Sequence, residues 1–158
     1  MKNLILVSAV FVLVITFSCT RLDSTEMCGK HLEKTLRTLD NEDPNEFVSR
    51  SISYREIKEV SQLIKGDNYL INIKEDDFEN DIIQKFKQLK VKSNNYEFKW
   101  KNITPISFQY NNYDDDGISC CAVTMNFSVN NKVFNITGTY FNTQKGYKLG
   151  QIYDFHSK

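Results

Sequence analysis

Few residues in this chain could do chemistry: four cysteines, two histidines and one acidic turn. Cys28 and His31 are an i,i+3 pair, a spacing that could set a thiol against an imidazole base on one helix face. In an exported protein such a thiol competes with disulfide formation, which argues against Cys–His catalysis. His156 stands near the end of the sequence, and no His/Cys spacing supplies the three or four convergent ligands that zinc requires. Asn112-Tyr113-Asp114-Asp115-Asp116-Gly117 places oxygens at alternate positions with glycine sixth, like the opening of a calcium loop. The twelfth position, where a bidentate carboxylate must close such a loop, is Val123, so the stretch reads as a solvated hairpin loop. There is no glycine-rich phosphate loop and no nucleophile elbow. Neither a catalytic residue nor a metal or cofactor is expected.

The first residues carry a different chemistry. Lys2 is followed by an apolar run from Leu4 to Phe17, broken only by Ser8 and Thr16. Fourteen residues reach about 21 Å as a helix, short of a bilayer core of roughly 30 Å, so the run reads as a secretory signal. Ile15-Thr16-Phe17-Ser18-Cys19 resembles a bacterial lipobox, which implies cleavage after residue 18 and a diacyl or triacyl (palmitate-type) anchor on Cys19. Two or more acyl chains hold a protein stably at a membrane, where one does not. The expected organisation is a signal over 1–18, a tether over 19–23 and a single domain over 24–158. The expected place is the cell envelope, lipid-anchored to an outer membrane and facing the periplasm.

Cleavage before Cys19 removes one lysine, Lys2, from 20 basic residues and none of the 20 acidic ones. A near-neutral domain has no field that would favour nucleic acid, so no nucleic-acid partner is expected. Its membrane partner would be reached through the N-terminal lipid.

The elements that must position these residues follow from periodicity. Ser24 to Leu39 reads as a helix with Cys28, Leu32, Leu36 and Leu39 on one stripe. Asp43-Pro44-Asn45-Glu46 and Ser53-Tyr54-Arg55-Glu56 are capping boxes that open two further helices, the second running towards Gly66. Tyr69 to Ile73 leans towards β structure. Asp76 to Glu79 should cap a long helix whose apolar side is Phe78, Ile82, Phe86 and Leu89.

From Tyr96 the period becomes two, with Tyr96, Phe98 and Trp100 alternating with charges, and Ile106, Phe108 and Tyr110 resuming after Pro105. Asn111 to Gly117 reads as a loop. Cys121, Val123, Met125, Phe127 and Val129 mark a half-buried strand, Asn130-Asn131 a tight hairpin, and Val133 to Phe141 the returning strand. The phase slip between Leu149 and Ile152 in the last strand points to a bulge at Gly150.

The long helix is expected to lie across the sheet, with Phe78, Ile82 and Phe86 facing Val123, Met125 and Phe127. Processing at Cys19 leaves Cys28, Cys120 and Cys121, so at least one thiol stays free or pairs between molecules. Cys28 and Cys121 both point towards the core, so if the first helix crosses the start of that strand, Cys28–Cys121 is the sensible bridge. The alternative is that all three are reduced and buried as small hydrophobes.

This order of elements, with the closing Gly146-Tyr147-Lys148-Leu149-Gly150-Gln151-Ile152, resembles the nuclear-transport-factor-two-like (cystatin-like) α+β superfamily. Asn94 to Ile103, with Phe98 and Trp100, is similar to a segment of small bacterial lipoproteins. The resemblance implies N-terminal helices packed on a curved C-terminal antiparallel sheet around a cone-like pocket. Phe78, Ile82, Phe86, Val123, Met125 and Phe127 would be its candidate lining. That architecture hosts both enzymes and binding modules, so it does not choose a function. The expectation is a non-catalytic module for a ligand or a protein. The alternatives are an isomerase- or dehydratase-type pocket enzyme and an inhibitor- or immunity-type protein partner. A pocket holding a buried carboxylate would favour the enzyme, and a sealed core with an exposed aromatic or edge-strand patch would favour the protein partner.

Overall fold

A computed structural model of the chain describes residues 21–62, 72–115 and 117–157. The expected signal, lipobox and Cys19 lie outside the described residues, as do the end of the third helix near Gly66 and most of the β-leaning stretch before Ile73. Helices α1 (Thr25–Thr38), α2 (Pro44–Arg50), α3 (Tyr54–Ser61) and α4 (Glu75–Asn95) precede strands β1 (Thr104–Asp115), β2 (Ile118–Val129), β3 (Lys132–Thr143) and β4 (Gly146–Ser157). The strands form one antiparallel sheet in the order β1-β2-β3-β4. This is an α+β fold with helices packed on an antiparallel sheet, as the sequence pattern indicated.

Local chemistry sets the helix starts. Ser24 caps α1 by accepting from the Met27 amide. Asp43 and Glu46 close one capping box and Ser53 and Glu56 another, each satisfying two otherwise orphaned backbone donors. The long helix departs from expectation here: its N-cap is Lys74, with no side-chain cap bond. Glu75, Asp76 and Asp77 in its first turn instead offset the positive end of the helix dipole.

The apolar stripe of α1 forms the centre of the core. Cys28, Leu32, Leu36 and Leu39 are all fully buried, and α1 lies against β2. Burying each leucine contributes about 1.5–3 kcal/mol. The helix crossing the middle of the sheet is therefore α1, where the long helix was expected. Helix α4 packs on α2 and on β4, with the Phe86 ring 5.3 Å from Phe47. Below α1, Phe127, Phe134 and Phe155 stack at 5.6 Å and 5.3 Å, and Phe98 meets Trp100 edge-on at 5.0 Å.

Adjacent strand residues face opposite sides, so Cys120 and Cys121 belong to different layers. Cys121 joins the main core, while Cys120 packs with Ile118 against Ile52, Ile57 and Val60. The chain reaches that far layer by passing the edge of β4, where the Ile52 amide donates to the Leu149 carbonyl at 2.6 Å. Ser51 and Leu149 form a parallel bridge there.

Two strand expectations change. Tyr96 to Trp100 is not a strand: α4 ends at Tyr96, Glu97 turns with φ 56°, and Trp100–Asn102 form a single 3-10 turn. The alternation is real, since Phe98 and Trp100 are buried and Glu97 and Lys99 exposed, but no described strand pairs with this stretch. Conversely, β1 continues to Asp115 through residues that read as loop. The Asn130-Asn131 turn has both φ values positive (51° and 61°), as a tight hairpin requires. The register of β3 and β4 shifts beside Gly150, the expected bulge.

Candidate functional site

The six residues proposed to line a cone are brought together as solid core. Val123, Met125 and Phe127 are fully buried, Ile82 and Phe86 nearly so, and Phe78 is half-buried between the two clusters. The side chains of α1 fill the space that a cone would leave open. One cleft of about 10 Å³, room for about a single water, lies beside Phe47, Ser51, Ile82 and Leu149. A groove of about 200 Å³ runs between α4 and β4, over Leu89, Ile152 and Phe155. Of the six, only Ile82 touches either hollow.

The expected Cys28–Cys121 bridge is corrected: Cys28, Cys120 and Cys121 are free, buried thiols. Helix α1 does place Cys28 over the start of β2, in the same core as Cys121, but both serve as small apolar fillers. Burial pushes the Cys28 thiol up to about 12 and Cys120 up to about 11, so neither ionises to a nucleophile near neutrality.

His31 does not turn to Cys28. Its Nδ1 shares a hydrogen bond of 3.1 Å with the hydroxyl of Tyr140, which is fully buried on β3. Burial, and then the charges of Arg50, Lys34 and Lys148, lower the His31 pKa to about 4. The imidazole is neutral at pH 7 and ties α1 to the sheet. Sequence reasoning missed this pair, because nothing local links residues 31 and 140.

The acidic turn behaves as a hairpin. The Gly117 amide donates to Asp114 Oδ1 at 2.6 Å, and Val123, at the closing position of a calcium loop, is buried in β2. Among the described residues no three His, Cys, Asp or Glu side chains gather as a metal site. No described helix is long and apolar enough to cross a membrane.

Among the described residues, the strand edge left wholly without a pairing is that of β1. On the face away from α1, polar side chains satisfy one another: Thr124 with Thr137 at 2.9 Å, Thr139 with Tyr153 at 3.1 Å, and Asn126 with Ser107 at 3.0 Å. The β4 edge is bridged at Leu149 by Ser51. Strand β1 pairs with β2 on one side, and no described element pairs with its other side. It also carries Ile106, Tyr110 and Tyr113, three of the four exposed large apolar or aromatic residues among those described. The sequence showed two of them as strand residues, but Tyr113 was hidden in the apparent loop.

No protein-family model matches the chain, and no curated protein or solved structure matches it.

Proposed function

We propose that this protein is a lipid-anchored component of the cell envelope, held at Cys19 on an outer membrane and facing the periplasm, that acts as a non-catalytic protein-interaction module. The observation that carries this reading is the open β1 edge with Ile106, Tyr110 and Tyr113 exposed along it. A row of unpaired backbone donors and acceptors is a template for another strand, and aromatic side chains beside it add contact area. The filled core supports a protein partner over a small ligand held inside the sheet. The unionised Cys28 and the neutral, tyrosine-bound His31 give no activated nucleophile, which weighs against the pocket enzyme.

The test is photo-crosslinking of the full chain in cells, with a benzophenone amino acid at position 106 or 113. Position 91, also exposed but on α4, is the control. Protein adducts from β1 and none from position 91 are expected. No adduct from β1, or the same adducts from both places, would overturn the reading.

A further inference from the structure

The β1 edge has a charge pattern that selects its partner. We infer that two copies of this chain pair antiparallel through β1, an inference that rests on the interaction-module reading and names the partner. Strand β1 is twelve residues long, beyond the roughly 3–10 residues of ordinary strands. Natural sheets blunt such edges with lysines, prolines, bulges or short strands. Here Pro105 and the register shift beside Ile106 protect only the first turn of the strand. Ser107 to Tyr113 runs in regular register against β2, and no described element pairs with its other side.

Charge decides the direction of pairing. Residues 102–113 contain no Lys, Arg, Asp or Glu, while Lys99 and Lys101 precede them and Asp114 and Asp115 follow. Parallel pairing of two such edges would set like charges side by side at both ends. Antiparallel pairing lays Asp114 and Asp115 beside the uncharged Ile106 and Pro105 of the other strand, with Lys101 four residues beyond. A two-fold axis at Tyr110, the midpoint of Ser107–Tyr113, sets Gln109 against the partner's Asn111 and Ser107 against the partner's Tyr113. Amide then faces amide, and no charge is buried. The α1 helices of both copies fall on one face of a continuous sheet with twice the four strands of one chain, and the α3 layers on the other. Such an interface is self-complementary and closed, so it stops at a dimer.

The experiment uses the full chain purified in detergent and studied by sedimentation and by hydrogen exchange. A dimer is expected, with the amides of residues 107–113 gaining protection as concentration rises. Gln109→Lys brings like charges close to the axis and should weaken pairing about tenfold or more in Kd. Asn111→Lys, also at an exposed position, should do the same. Gln151→Lys, on the opposite edge strand, should leave the dimer intact, and this separates pairing from co-occupation of a micelle.

Wild type that stays monomeric at concentrations on the order of 100 μM, where pairing of comparable Kd would be half-formed, overturns the inference. A dimer insensitive to Gln109→Lys and Asn111→Lys also overturns it. Cellular adducts from position 113 that contain a different protein, alongside a monomeric pure chain, overturn self-pairing while leaving the interaction reading standing. No adduct in either setting removes both.

Discussion

Leu32 of α1 sits in the space that Gly138 of β3 leaves empty: a Cβ on Gly138 would stand 3.0 Å from the leucine Cδ1. The same added atom would meet Leu149 of β4 at 3.4 Å. Helix, central strand and edge strand therefore converge on one missing side chain. Gly138→Val should cost about 1–3 kcal/mol by overpacking. Leu32→Ala should cost about 2–5 kcal/mol by leaving a cavity. Because the two residues share that volume, urea unfolding of the double variant should show a loss clearly smaller than the sum. Strict additivity would show that the two side chains do not compete for the site.

Phe86 gives the corresponding test for α4. It is 2% exposed and packs against the Phe47 ring on α2. Phe86→Ala should lower stability by about 3–5 kcal/mol, as for other buried aromatics. A loss below about 1 kcal/mol in urea unfolding would show that α4 contributes little to the core.

How far the sequence could be read follows from which interactions are local. Asp43 with Glu46 and Ser53 with Glu56 are three residues apart, so the helix starts they fix are visible in the chain. The same holds for the alternation of Cys121 to Val129, for Asn130-Asn131 and for the phase slip at Gly150. The choice of helix to cross the sheet is not local. It depends on Gly138 admitting Leu32, and on Gly29 letting Tyr110 lie where its side chain would otherwise stand, with the hydroxyl 2.5 Å from an added Cβ. The open edge was equally hidden, because an edge is defined by the partner a strand lacks, and Asn- and Asp-rich residues disguised the end of β1.

The anchor is tested by partition. Cys19→Ala should move the full chain from the detergent phase to the aqueous phase, because the proposed acyl chains have no other attachment point. Partition unchanged by that substitution would remove the lipid from the proposed function.

The thiols should be silent in the native protein. With Cys28 pushed up to about 12, Cys120 up to about 11 and Cys121 also raised by burial, alkylation at pH 8 should leave all three unmodified. Unfolding in urea should expose all three to the reagent. Peptide mapping without reductant should find no Cys28–Cys121 link. A linked peptide, or rapid native labelling of Cys28, would contradict the buried-thiol arrangement.

His31 makes stability depend on pH in a definite direction. Its folded pKa of about 4 lies below the ordinary value of 6.5, so the unfolded chain takes up a proton first as pH falls. Above about pH 6.5 both states carry neutral imidazole and the residue contributes no slope. Between there and about pH 4 the unfolded state binds more protons, and stability declines as pH falls. The loss is on the order of 3 kcal/mol and levels off once the folded imidazole also protonates. Arg50, Lys34 and Lys148 reinforce the effect, since each disfavours a cation at His31. Urea midpoints at pH 7 and pH 4.5 should therefore differ more for wild type than for His31→Asn, which cannot titrate in this range. Equal pH dependence in the two proteins would show that the slope arises from the carboxylates and that burial does not hold the imidazole neutral.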